Sequence, residues 1–272
     1  MKSFGFSPCP NDTIIFYALA SKIVNKQGLD FEFKIDDVET LNTLAMKQAI
    51  DVSKVSCHAY CRLSNDYQFL KCGGAFGRGC GPLIVSKNTN PVINEKTIIA
   101  APGKYTTAAL LLLMYLESEH GIKTPKLLHM PFNEVMSSVA QNKTDMGLII
   151  HEGRFTYNQY GLHMMADLGS WWEKETNLPI PLGGIVAKKN IGSGAISDIE
   201  ELIQKSLRYG LNNRPEAMKF IKKHAQELKD SVIESHIKLY VNDYTLDMGD
   251  EGAAALHELD KRFRRIKEAD QK

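Results

Sequence analysis

GGAFGRGCGPLIVSK, residues 73–87, is a glycine-dense stretch that passes straight into an apolar run, a texture that suits a crossing between two folded lobes. On its N-terminal side KSFGFS (2–7) reads as a strand broken by Pro8 and Pro10, and TIIFYALASKIV (13–24) as a helix. DFEFKIDD (30–37) alternates apolar and polar residues as a strand does, and VETLNTLAMKQA (38–49) places apolar residues at i, i+3 and i+4. DVSKVS (51–56) is a third short strand leading into a helix-like HAYCRLSND (58–66). Beyond the glycines, LIVSK is a strand and NTNPVIN (88–94) a loop. TIIAAP, TTAALLLLMYLESEHG, KLLHMP, FNEVMSSVAQNK and MGLIIH then alternate strand and helix up to residue 151. A mixed passage at 154–182 gives way to GGIVAKK (183–189), a strand that returns to the first lobe, and the chain beyond about residue 196 is helical.

This order predicts an α/β protein with largely parallel strands. The first lobe comprises residues 1–85 and 182–272, and a second lobe, residues 86–181, is inserted within it. Two α/β lobes joined by two chain crossings describe the type II periplasmic-binding-protein-like fold, with the ligand cleft between the lobes. Ligands of open α/β sheets lie beyond the carboxyl ends of the strands.

The chain has 272 residues, with 33 Lys and Arg against 32 Asp and Glu, a net charge of +1. No block of like charge is present, which argues against nucleic acid and points to a small-molecule partner. The longest apolar run, AALLLLMYL at 108–116, is too short for the roughly 20 residues of a membrane span. Cys9, Cys57, Cys61, Cys72 and Cys80 show no CxxC pair or zinc-ribbon spacing, so free thiols in a reducing compartment are expected and no metal site. KSFGFSPCP follows Met1 with no apolar signal core, so the expected location is cytoplasmic. The oligomeric state is not legible.

Four junctions place small, polar or glycine residues where a ligand would sit. In SPCPNDT, Pro8 and Pro10 stiffen a turn, and Asn11, Asp12 or Thr13 can cap the helix that follows or leave its amides to an anion. In SKVSCHAY, Ser56 ends a strand and can face the cleft, while Lys54 can be a solvated strand residue. His58 between Cys57 and Cys61 lacks the spacing of a zinc site. In APGKYTTAAL, Thr106 or Thr107 caps a long apolar helix whose first amides favour a carboxylate or phosphate. The surrounding glycines form neither a P-loop nor a dinucleotide fingerprint. Arg78 and Arg154 can each fork onto a carboxylate or serve as ordinary structural arginines.

The fourth junction is LIIHEGRFTY (148–157). An apolar strand delivers His151 to its carboxyl end, beside Glu152, Gly153 and Arg154, and an imidazole titrating near neutrality suits a general base. Glu152 and Arg154 can pair with each other or orient the ring. Among the other histidines, His120, His224 and His257 fall on solvated helical faces, and His129, His163 and His236 lack polar neighbours. There is no Gly-x-Ser-x-Gly elbow, no HExxH and no cysteine in a nucleophile setting, which leaves acid–base chemistry on a bound small molecule.

GFSPCPNDTIIFYAL, DDVETLN, GGAFGRGCGPL, PGKYTTA, GLIIHEGRFTY, DLGSWWEKETNLPIPLG and YVNDYTLDMGDEG together resemble the 1,4-dihydroxy-6-naphthoate synthases of the futalosine route to menaquinone, in the same order and over nearly the whole chain. The resemblance implies a cofactor-independent carbon–carbon lyase. It would split cyclic dehypoxanthine futalosine, a carboxylate, into 1,4-dihydroxy-6-naphthoate and dihydroxyacetone. It further implies His151 as proton acceptor and Lys54, Val55, Ser56, Thr107 and Ala108 along the substrate; the junctions themselves add Asn11, Asp12, Arg78 and Arg154 as candidate substrate-binding residues. Cys57 and His58 depart from the family pattern, so His58 takes no role. The runner-up is chorismate dehydratase of the same pathway, which shares the fold and an anionic substrate. A non-catalytic small-anion-binding protein would share the fold alone.

Overall fold

In the computed structural model, residues 1–225 and 229–269 are described. The first sheet is built from β1 (Lys2–Phe6), β2 (Phe31–Ile35), β3 (Val52–Ser56), β4 (Tyr67–Phe69), β5 (Ala75–Gly77) and a late strand, β11 (Ile180–Lys188). The second holds β6 (Leu83–Ser86), β7 (Ile98–Pro102), β8 (Lys126–Met130), β9 (Met146–Ile149) and β10 (His163–Asp167). Strand order is β2-β1-β3-β11-β4 in the first, with β5 also on β11, and β10-β6-β9-β7-β8 in the second.

The strands are mixed, not largely parallel. β1 pairs parallel with β2 and β3, and β7 parallel with β8 and β9, as strand–helix–strand crossovers require. The strands that carry the chain from one sheet to the other, β6 and β11, run antiparallel to all their neighbours. A strand that enters a sheet from its far end arrives pointing against the rest. The expected boundaries at 85/86 and 181/182 fall inside β6 and β11, so the passages between sheets lie just ahead of those strands.

The helices are α1 (Pro10–Ala20), α2 (Val38–Met46), α3 (Cys57–Leu63), α4 (Thr107–His120), α5 (Phe132–Ala140), α6 (Gly153–Thr156), α7 (Leu168–Thr176), α8 (Ser193–Asn212), α9 (Arg214–His224), α10 (Asp230–Tyr240), α11 (Asp243–Leu246) and α12 (Gly249–Ala269). α1 is buried from Pro10 to Leu19, packed against α8, α9 and α10, so it shows no polar face. It begins three residues before the expected Thr13, because Pro10 at its first position needs no amide partner. α2 is opened by Asp37, whose carboxylate accepts the amides of Glu39 and Thr40 at 2.9 and 3.1 Å. α4 is closed by Gly121 in the left-handed region, φ +67°.

One hydrophobic cluster continues through both sheets, from Val55 and Phe76 through Leu110 and Leu111 to Ile99 and Leu148. A second fills the space between the first sheet and α1 and α8, and a third lies under α5. Among the described residues no helix is long and apolar enough to cross a membrane. All five cysteines are buried, unpaired thiols.

Candidate active site

Between the sheets lies a cavity with about 670 Å³ of empty space, its open mouth included. Its walls come from the carboxyl end of β3, the first turns of α1 and α4, the residues just past β9, the start of β11 and the last turn and a half of α10.

Asp12 and Lys54 form its floor. Lys54 is not the solvated strand residue the sequence allows: its ammonium lies 2.8 Å from Oδ1 of Asp12 and donates to the Gly73 carbonyl at 2.9 Å, with both side chains buried. Asp12 accepts in addition from Ser7 Oγ at 2.7 Å, the Ser7 amide at 3.2 Å and Asn11 Nδ2 at 2.9 Å. Asn11 and Asp12 therefore line the cavity without capping α1. The hydroxyl of Thr13 turns back onto the Cys9 carbonyl at 3.0 Å. A buried pair with every lone pair engaged orients its neighbours and leaves no free cation.

Ser56 ends β3 on this wall. Asn42, fully buried on α2, holds it from both sides, donating to its hydroxyl at 3.2 Å and accepting its amide at 2.9 Å. Val55 beside it presents an apolar surface. Opposite stands the start of α4. Thr106 is the cap, accepting the Ala109 amide at 3.2 Å, and Thr107 is the first helical residue. The Thr107 hydroxyl donates to the Leu182 carbonyl at 2.6 Å and accepts the His58 amide at 3.2 Å. The amides of Thr107 and Ala108 have no acceptor within their own helix and sit at its positive end. Glu39 of α2 reaches across to accept the amides of Lys104 and Tyr105 at 2.7 and 2.9 Å. Gly103, at φ +84°, makes that reach possible, since a Cβ there would stand 2.7 Å from the Glu39 carboxyl carbon.

His58 is structural. Its Nδ1 lies 3.1 Å from the Thr106 carbonyl, and burial followed by the Arg62 guanidinium pushes its pKa down to about 4. It stays neutral and pins the loop ahead of α4.

His151 stands two residues past β9 at φ +55°, a left-handed conformation costing roughly 1 to 2 kcal/mol for a residue with a side chain. Strain of this kind persists where the surroundings fix it. Nδ1 lies 3.4 Å from the Cys9 thiol, and the Phe132 ring meets the imidazole edge-on at 5.0 Å. Burial lowers its pKa, while the negative charges of Glu152 and then Asp12 oppose the shift. Burial also lifts the Cys9 thiol well above its usual range, which keeps it protonated and poor as a nucleophile.

The two arginine candidates lie elsewhere. Arg78 pairs with Glu251 at 2.6 Å and donates to the Asn177 carbonyl at 2.9 Å. Arg154 pairs with Asp167 at 2.6 Å, not with Glu152, and donates to the Gly81 carbonyl at 2.9 Å, tying the glycine stretch to β10. Neither lines the cavity. Among the described residues no group of His, Cys, Asp and Glu is placed to hold a metal ion.

The structure adds two wall residues that the sequence reading passed over, His236 and Tyr240 of α10. The signal was present: Ile233, His236, Ile237 and Tyr240 fall at i, i+3, i+4 and i+7, the buried stripe of an amphipathic helix.

A family model described as "Menaquinone biosynthesis" matches residues 3–265. The chain is 42% identical over 255 residues to a protein of Thermus thermophilus named 1,4-dihydroxy-6-naphtoate synthase, covering 94% of this chain and 91% of that one. A protein of the same name from Streptomyces coelicolor is 39% identical over 255 residues, covering 93% and 89%. Among solved structures, protein AF1704 of Archaeoglobus fulgidus is 32% identical, with a TM-score of 0.88 over 99% of this chain and 97% of that one. The periplasmic aliphatic sulphonate binding protein SsuA of Escherichia coli is 13% identical, with a TM-score of 0.67 over 98% and 87%. That likeness shows the fold, which is of the periplasmic-binding-protein type.

Proposed function

The chain belongs to the menaquinone biosynthesis family, and we propose that it is a lyase converting cyclic dehypoxanthine futalosine to 1,4-dihydroxy-6-naphthoate and dihydroxyacetone, with His151 as the general base. The observation that carries this reading is the placement of His151: a neutral imidazole, stiffly held at a strand end, on the wall of a small-molecule cavity. Both named relatives are 1,4-dihydroxy-6-naphtoate synthases, which favours this reaction over chorismate dehydration.

In the proposed reaction His151 removes a proton beside a carbonyl of the substrate. The electron pair left behind moves toward the carbonyl oxygen and drives elimination from the sugar-derived ring, and formation of an aromatic naphthalene makes the cleavage favourable. This scheme calls for no cofactor. With Lys54 neutralised by Asp12 and both arginines engaged elsewhere, the substrate carboxylate falls to the amides of Thr107 and Ala108 and the hydroxyl of Ser56. Val55 packs the ring system between them. A small apolar-walled cavity with a few convergent polar groups is the setting in which one orientation is selected.

The test is incubation of purified protein with cyclic dehypoxanthine futalosine and detection of the naphthoate by mass spectrometry. Absence of that product, with chorismate consumed in its place, rejects the assignment.

A further inference from the structure

His236 enters the cavity from α10, a helix that packs on α1 and β5 and so belongs with the first sheet. His151 comes from the end of the second. The two rings face each other at 30° with centroids 6.3 Å apart, and Tyr240, one turn further along α10, lies 4.6 Å from His236. His236 is 1% exposed, and neither Nδ1 nor Nε2 has a hydrogen-bond partner among the described residues. Buried polar groups are nearly always paired, and leaving one without a partner weakens the folded state. An imidazole kept in this condition on the wall of a ligand cavity is matched to something the cavity receives.

We propose that His236 is a second substrate-contacting catalytic residue, donating its ring N–H to the oxygen that gains negative charge as His151 takes the proton. The proposal rests on the synthase reading for the identity of that oxygen. Burial, and then the neighbouring His151, hold the His236 pKa well below its usual value, so the ring is neutral and keeps one N–H and one lone pair. Its neutrality also suits the partnership. Two imidazoles this close in an apolar site do not both carry charge, so the proton goes to His151, which Glu152 and Asp12 favour, and His236 remains the uncharged donor. A donor aimed in advance at a developing oxyanion accelerates reaction more than one recruited from water. Because the two rings come from different sheets, the constellation exists only when the sheets are apposed as they are here.

The experiment compares wild-type protein with His236→Phe, His236→Asn and His236→Gln, and titrates histidine-15N-labelled wild type with 1,4-dihydroxy-6-naphthoate. Removing one such donor is expected to lower kcat about 10² to 10³-fold in His236→Phe. KM should change far less, and Tm should hold or rise, because an unpaired polar group has been replaced by an apolar ring of similar size. Asn or Gln, each offering an amide N–H, is expected to recover at least about tenfold of the lost kcat. The ring-nitrogen resonances of His236 are expected to move on saturation with the naphthoate. Wild-type kcat in His236→Phe, resonances unmoved by bound ligand, or a loss of activity that tracks a fall in Tm and is not recovered by Asn or Gln, each overturns the proposal. If wild type releases no naphthoate from the futalosine derivative, the synthase reading fails, and the resonance shifts then decide whether His236 meets a ligand.

Discussion

The Cys9 thiol lies 3.4 Å from Nδ1 of His151, joining the residue ahead of α1 to the second residue past β9 across the cleft. For Nε2 to accept a proton, Nδ1 must carry the hydrogen and donate it to sulfur, and a thiol held neutral by burial is a weak acceptor that fixes the tautomer without raising the imidazole pKa as a carboxylate would. Cys9→Ala is expected to lower kcat about three- to tenfold, with Cys9→Ser close to wild type, on the scale of a lost orienting hydrogen bond. Equal activity in Cys9→Ala and wild type would show that sulfur does not orient the ring.

His151→Asn preserves polarity and approximate size but removes the base. Turnover should fall by about 10² to 10⁴ while product affinity changes little. Steady-state kinetics paired with calorimetric titration of the naphthoate separates the two, and undiminished turnover rejects the assignment.

Lys54→Met leaves the Asp12 carboxylate buried without its cation. Breaking such a pair from one side costs about 3 to 5 kcal/mol, and Asp12→Asn combined with Lys54→Met should return most of it. Urea unfolding of the single and double variants measures both. Additive losses would mean that the residues do not act as a pair.

Acid should destabilise the protein through its buried imidazoles. His58, His151 and His236 all have folded pKa values below the ordinary 6.5. Between the folded value and 6.5 the unfolded chain binds a proton that the folded chain refuses, so stability is full above about pH 6.5 and declines as pH falls toward each folded value. For His58 the window runs from 6.5 down to about 4, worth about 3 kcal/mol. The acid limb of kcat/KM should likewise lie below pH 6.5, as a property of the His151 and His236 pair. Chemical denaturation from pH 7.5 to 4.5 checks the first expectation, and a flat profile contradicts it.

Glu39→Ala removes the acceptor shared by the Lys104 and Tyr105 amides. Loss of these charge-assisted bonds should cost about 2 kcal/mol. With the approach to α4 loosened, KM should rise several-fold more than kcat falls. An unchanged KM would mean that the clamp does not position the substrate end of α4.

Periodicity and turn chemistry made the element order legible, and the strand ends named the walls: Ser56 and His151 were each visible as a polar residue at the close of an apolar run, and Thr107 as the polar residue that opens one. Direction was harder. β6 and β11 look like any other apolar run, and only the sheet shows that they oppose their neighbours. Long-range pairing was not legible either. Lys54 beside one strand end gives no hint of Asp12, nor Arg154 of Asp167, because those pairs are made by sheet order. His236 was passed over for lack of polar neighbours, yet its place on an apolar stripe is what makes it unusual, since that stripe should carry no unpaired nitrogen.

The position of β11 also bears on how the molecule is made. It sits between β3 and β4 in the first sheet, although it is the last strand to leave the ribosome. Until residue 188 has emerged, β3 has an open edge where its antiparallel neighbour belongs, and an open edge invites pairing with other chains. The second sheet, by contrast, is encoded without interruption from β6 to β10 and can be assembled first. Synthesis therefore leaves the half that begins the chain waiting on the half that interrupts it, and crowding of nascent chains falls hardest on the N-terminal strands.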